Sequence, residues 1–122
     1  MKIPDDLKYT DHDEWVRIEG DVLVVGITDY AQDQLGELVH VELPAVGKQV
    51  KAGQAACEVE SVKAVAEIFA PADGEIVAVN EILEDAAENI NGDPYGSWIY
   101  KLKVAAVPGG LLDAAAYRAK LA

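Results

Sequence analysis

Apolar and polar positions alternate in short stretches along most of the chain, and turn-forming residues break them. Residues 15–27, WVRIEGDVLVVGI, read as two short strands around a turn at Glu19-Gly20-Asp21, because β-branched residues flank a glycine-containing turn signal. Residues 38–43, LVHVEL, alternate toward a strand that Pro44 ends. Val46–Val50 and Lys51–Gly53 predict turns. Further strands are expected over 54–62, over 64–69, over 75–79 after the turn Pro71-Ala-Asp-Gly74, and over 98–104. Thr28 suits an N-cap, Asp29 the first turn and Gly36 the C′ position, so 28–35 predicts a short helix. Residues 113–120 predict another, with an acid at the start and cations in the last turn, as the helix dipole favours. The stretch 81–93 is mixed, with one helical turn expected at Asp85–Asn89, and Asn91–Gly96 is dense in turn formers. Many short strands with Gly/Pro turns describe a mostly β protein, a small sandwich or barrel with short helices near 28–35 and 113–120.

Size changes this picture little. At 122 residues the chain reads as one domain, 1–122, and 51% hydrophobic residues can fill one core. Charge changes it more. Ten Lys+Arg stand against 22 Asp+Glu, a net −12, which argues against nucleic acid and anionic lipid as partners and for basic docking surfaces. A lone cysteine, Cys57, rules out an internal disulfide and a multi-Cys zinc site, and His12 and His40 are too few for a His-rich metal site. No basic-then-apolar leader and no apolar run of membrane length are visible, so a cytoplasmic protein is expected.

Lys63 is the one cation between Gln54 and Tyr100, a stretch that holds ten acids. It could be an ordinary solvated lysine pairing with Glu60 or Glu67, a catalytic amine, or an attachment point for a carried group. It lies thirteen residues after Val50 and thirteen before Ile76, between flanks of similar character, and two strand-like runs meet at it. That puts it at or near a hairpin tip. A catalytic Schiff-base lysine is ordinarily desolvated, which a tip position disfavours. On these grounds alone the solvated lysine and the tether both stay open.

Glu60-Ser-Val-Lys63-Ala64, followed by Pro71-Ala-Asp-Gly-Glu-Ile-Val, resembles the lipoyl-attachment segment of the glycine cleavage system H proteins. Asp13-Glu-Trp15-Val, Val25-Gly-Ile-Thr-Asp-Tyr-Ala-Gln32, Leu35-Gly-Glu, Val41-Glu-Leu-Pro44, Asn91-Gly-Asp-Pro-Tyr-Gly96 and Leu111-Leu-Asp-Ala fit the same family, collinear from Tyr9 to Ala119. The resemblance implies a barrel-sandwich hybrid, lipoyl-domain-like, with lipoate in amide linkage to Lys63 and Glu60, Ser61, Val62 and Ala64 as the recognition segment around it. It implies a monomeric, non-catalytic shuttle. A pyridoxal-phosphate glycine decarboxylase loads the aminomethyl group, a folate-dependent aminomethyltransferase unloads it, and a flavin enzyme, dihydrolipoamide dehydrogenase, reoxidises the arm. A lipoylating enzyme must install the arm first. The family's pattern also suggests Glu14 and Glu67 as carboxylates of a cleft that shelters the arm. The chain departs from that pattern in three places: Asp13 stands where His is usual, Gly92 where an acid is common, and one residue is missing before Trp98, at Ser97.

Competing readings are a biotin carrier, an H-like protein relaying lipoate to other enzymes, and an unmodified interaction module. Biotin domains typically set Met on both sides of the lysine, whereas Val62 and Ala64 stand here. Cys57 reads as a buried, inert thiol, His12 as a surface residue of an acidic turn, and His40 as a half-exposed strand position opposite its valine neighbours. Trp15, Trp98, Tyr100 and Phe69 read as core or edge packing.

Overall fold

The computed structural model describes residues 1–122 and is built from two open sheets rather than a closed barrel. The strands are β1 (Lys8–Tyr9), β2 (Glu14–Glu19), β3 (Val22–Ile27), β4 (Leu38–Glu42), β5 (Gln49–Val50), β6 (Ala55–Ser61), β7 (Val65–Phe69), β8 (Gly74–Val79) and β9 (Tyr100–Lys103). The helices are α1 (Asp29–Leu35), α2 (Asn89–Gly92) and α3 (Ala114–Leu121), with a 3-10 turn at Glu81–Glu84. One sheet runs β1-β2-β3-β9-β8-β5 and the other β4-β6-β7, with every pairing antiparallel.

The hairpin β2–β3 turns at Gly20, whose φ of +64 suits glycine in a tight turn. Its strands are buried on both faces. Val16, Leu23, Val25 and Ile27 join the main core between the sheets, while Trp15 and Val24 join a second cluster with Tyr9, Ala114 and Tyr117 under α3. The six-stranded sheet therefore lies between the smaller sheet and α3. Trp15 packs directly on the bare backbone of Gly26, where a Cβ would come within 2.6 Å of the indole ring.

Both expected helices form with the expected caps: Thr28 accepts from the Ala31 N–H and Asp113 from the Ala116 N–H. Several expectations need correction. Gln49–Val50, expected as part of a turn, is a strand that pairs with Gly74–Glu75, so the similar flanks on either side of Lys63 are hydrogen-bonded partners. The helical turn expected at Asp85–Asn89 is replaced by the 3-10 turn before it and α2 after it, and α2 takes Asn91 and Gly92 out of the expected turn region. The last strand starts at Tyr100 rather than Trp98, because Trp98 leaves the sheet to pack beneath the Lys101 ammonium, 4.9 Å from its ring. A bulge between Leu38 and His40 turns Val39 outward with His40, so Val39 is 52% exposed and the simple alternation fails there.

Candidate functional site

Lys63 stands in the turn that joins β6 to β7, and it is exposed. Ser61, buried at the base of the turn, organises it. Its hydroxyl oxygen accepts from the N–H of Ala64 at 3.0 Å and of Lys63 at 3.3 Å, and its own N–H reaches the Ala64 carbonyl at 2.8 Å. The Val62 N–H donates to the Glu37 carbonyl at 3.0 Å, which ties the turn to the loop after α1. The Lys63 amine makes no hydrogen bond or ion pair, so the pairing with Glu60 or Glu67 that an ordinary surface lysine would form is not made. Glu60 and Val65 flank the turn as cross-strand partners on the outward face of the sheet.

The Lys63 stem lies over Gly36, whose φ is +82, with Cε 3.6 Å from where a Cβ would sit. Asn91 holds that loop in place from α2. Its amide donates to Gln32 Oε1 and to the Gly36 carbonyl, and its Oδ1 accepts from the Leu38 N–H. Asn91 thus fixes the end of α1 and the start of β4 with one side chain.

An apolar groove of about 280 Å³ runs between α1 and β7, lined along the helix by Leu35, the neighbour of Gly36, and by Gln34, Ala31 and Tyr30, at the end of β3 by Ile27, and along β7 by Ala66, Glu67 and Ile68. It ends at His12 and Asp13. His12 does more than decorate a surface turn, since its ring packs 4.4 Å from that of Phe69. Glu67 is exposed at the groove's side.

Glu14 lies just beyond, in a neighbouring pocket of about 240 Å³ that shares His12 with the groove. It is 1% exposed, unlike the solvated acid that a strand start ordinarily carries. Its two oxygens are satisfied separately: Oε1 accepts from the Thr10 hydroxyl at 2.5 Å and Oε2 from the Phe69 N–H at 3.2 Å. Burial outweighs those two bonds and raises its carboxyl from 4.5 to about 7; Asp13 adds to the rise and Lys120 opposes it. Glu67 thus lines the groove, Lys63 stands beside Gly36 next to the groove residue Leu35, and Glu14 lies in the pocket beyond the groove's His12 end. Cys57 is apart from them, 7% exposed, and its thiol is pushed up to about 12 by burial and by nearby carboxylates. The sequence reading missed Gly36, Asn91, Thr10 and the apolar face of α1, because none carries a chemical signal until the chain is folded.

Of the departures, Ser97 donates to the Asn89 carbonyl at 3.1 Å and so closes the shortened segment onto α2. Gly92 is exposed with open space around it. Asp13 is part of the groove wall. No helix is long and apolar enough to cross a membrane.

The profile of the glycine cleavage H-protein family matches residues 7–122. The glycine cleavage system H protein of Burkholderia vietnamiensis is 57% identical over 118 residues, 94% of each chain. That of Nitratidesulfovibrio vulgaris is 52% identical over 123 residues, covering 100% of this chain and 97% of its own. The crystal structure of the glycine cleavage system H protein from Mycobacterium marinum superposes with a TM-score of 0.91 at 44% identity over 98% of both chains. With the family's profile spanning nearly the whole chain and the fold shared to its ends, the chain belongs to the glycine cleavage H-protein family, whose members are non-catalytic carriers of a lysine-bound lipoyl group.

Proposed function

We propose that Lys63 is the lysine that carries lipoate in this chain, and that the groove between α1 and β7 is where the arm rests. The observation that carries this reading is the Lys63 amine itself: exposed at a hairpin tip, free of any hydrogen bond or ion pair, with its stem over the bare backbone of Gly36, whose neighbour Leu35 lines an apolar groove. The residues fit the group. A free amine can be acylated, and Leu35, Ala31, Ile27, Ala66 and Ile68 offer an aliphatic chain the apolar contact it needs. When bound, the lipoyl group supplies a disulfide that accepts a carbon fragment and two electrons.

The chain's own residues bind, orient and shelter. Ser61 and the Glu37–Val62 bond hold the turn rigid, so the lysine starts from a fixed point. Glu60, Val62 and Ala64 are the exposed residues that a lipoylating enzyme meets when it approaches the amine, on a turn that Ser61 shapes from beneath. Glu67 at the groove's side and Glu14 in the pocket beyond its end are two carboxylates toward which a cationic amine on the arm is drawn. Glu14 does this once it is ionised, above about pH 7, from a buried site where its charge is little screened by solvent.

The carrier acts as a single-domain monomer in the cytoplasm. It serves the pyridoxal-phosphate glycine decarboxylase, the folate-dependent aminomethyltransferase and dihydrolipoamide dehydrogenase in turn. Peptide mass mapping of protein made with a lipoylating system tests the assignment. The lipoyl mass is expected on the Lys63 peptide alone, and a free Lys63 with another lysine modified would overturn it.

A further inference from the structure

Asp13 occupies a conformation that its residue type does not favour. Its φ is +66, in the left-handed region where few residues other than glycine, asparagine and aspartate are found. What holds it there comes from two other parts of the chain. The Asp13 carbonyl accepts from the Thr28 N–H at 3.0 Å, at the head of α1. Its Oδ1 accepts from the Tyr117 hydroxyl on α3 at 2.9 Å and faces Lys120 Nζ at 3.6 Å. The Tyr117 hydroxyl also shares a 2.8 Å bond with Thr28 Oγ1, the same oxygen that caps α1 through the Ala31 N–H. Lys120 donates in addition to the Asp11 carbonyl at 2.6 Å. Tyr117 and Thr28 are both fully buried, so these bonds are shielded from water.

The consequence reaches the groove from both sides. Thr28 sets the start of α1, which forms one wall, while the loop from Thr10 to Glu14 supplies His12 and Asp13 at the groove's end and Glu14 beyond it. We infer that Asp13 is a positioning residue: by fastening the Thr10–Glu14 loop to α3 and to the head of α1, it sets Glu14 and His12 in place, so that the C-terminal helix fixes the geometry at the end of the groove. The functional meaning rests on the proposed role of Glu14 in sheltering the arm, but the positioning itself can be read without any arm.

The Phe69 N–H reports it directly, since it is bonded to Glu14 Oε2. In unlipoylated protein, amide exchange of Phe69 is expected to quicken about tenfold in Asp13→Ala. The Ile99 N–H, bonded to the Val25 carbonyl in the other sheet, should stay as it is. The Glu14 carboxyl, followed by carbon NMR, should move from about 7 toward the ordinary 4.5 as its loop opens to solvent. Asp13→Asn keeps the acceptor oxygen and tolerates the backbone, so it should stay within about twofold of wild type at Phe69. Because Asn also lacks the charge, the Ala–Asn contrast isolates the bond from the electrostatic influence of Asp13 on Glu14.

Tyr117→Phe keeps the ring stacked on Tyr9 and loses only the hydroxyl, and it should quicken Phe69 in the same direction as Asp13→Ala. It carries the test alone if Asp13→Ala does not fold. Unchanged exchange at Phe69 in Tyr117→Phe, or equal acceleration at Phe69 and Ile99, overturns the inference. The role of Glu14 is separated by Glu14→Gln in the lipoylated carrier. If that variant supports glycine decarboxylation at the wild-type rate, the shelter reading fails, while the Phe69 result stands or falls by itself.

Discussion

At the hairpin tip Lys63 is exposed and its amine touches nothing, while beyond the groove Glu14 is 1% exposed and both of its oxygens are bonded. The backbone around Lys63 is held by four local bonds to Ser61 and one to Glu37, all within or beside the turn. Glu14 depends on residues from a loop, from β7 and, through Asp13, from the C-terminal helix. The tip can therefore be presented to several enzymes without disturbing the fold, whereas the far end cannot be altered without disturbing what surrounds it. On the proposed reading a carrier uses both: Lys63 as an attachment point others can reach, and a resting place others cannot.

The sharpest way to break this contrast is to remove the amine. Lys63→Arg should abolish lipoylation and support of glycine decarboxylation, while unfolding free energy changes by less than about 0.5 kcal/mol, as expected of an exposed residue without partners. Intact mass and urea melts read the two effects. If the variant unfolded, the tip would be structural after all.

Glu14 should behave in the opposite way, through pH. A carboxyl raised from 4.5 to about 7 by burial keeps its proton in the folded chain over a range where the unfolded chain has lost it. Its contribution to stability is therefore full below pH 4.5, declines as pH rises toward 7 and is level above that, a change of about 3 kcal/mol. Glu14→Gln should lack that decline when both proteins are melted across the range. Parallel pH curves for the two would mean that Glu14 is hydrated in solution.

A third test stays at the buried end. Gly26→Ala places a methyl group 2.6 Å from the Trp15 ring, next to Glu14 in sequence, and should cost about 1–3 kcal/mol in urea unfolding, with a shift in tryptophan emission. Ser61→Ala tests the tip in the same units. It removes the hydroxyl that accepts from Lys63 and Ala64 and should cost about 1 kcal/mol, with lipoylation slowed rather than lost.

The smallest effect concerns approach. With net charge −12, association of the lipoylated carrier with the decarboxylase should slow as salt rises, since screening acts over about 10 Å at 0.1 M. Glu60→Lys, beside the tip, should weaken that dependence more than Asp113→Lys at the start of α3. Equal effects in stopped-flow mixing would assign the acidity to solubility alone.

The tip was readable in the sequence because its signals are local. A single cation among acids, two strand-like runs meeting at it and a glycine-bearing turn on each flank survive as text. The caps of α1 and α3 were readable for the same reason: Thr28 and Asp113 act on residues three positions away. The buried end was not. Glu14 begins a strand in which three consecutive residues, Glu14, Trp15 and Val16, are buried, because β2 is covered on both faces and alternation vanishes. Asp13 is a plain aspartate until Tyr117, far away in sequence, donates to it. The strands Lys8–Tyr9 and Gln49–Val50 are two residues long, too short for any period, and exist only because a neighbouring strand pairs with them. Asn91 looked like a turn former, and its clamp on Gln32, Gly36 and Leu38 needs the whole fold to bring those groups together.

Gly36 gives the Lys63 stem a floor without a side chain. In mechanical terms this is a bearing. A bulky residue there would prop the stem to one side and bias the swing of anything attached to it, besides straining a backbone at φ +82. With the floor bare, rotation at the root is cheap in both directions. On the proposed reading, the share of time an arm on Lys63 spends lodged or free is then set at its distal end, by what it carries and what the groove offers. A cargo the groove grips shifts that share toward storage and an empty arm shifts it toward search, and neither requires the protein itself to move.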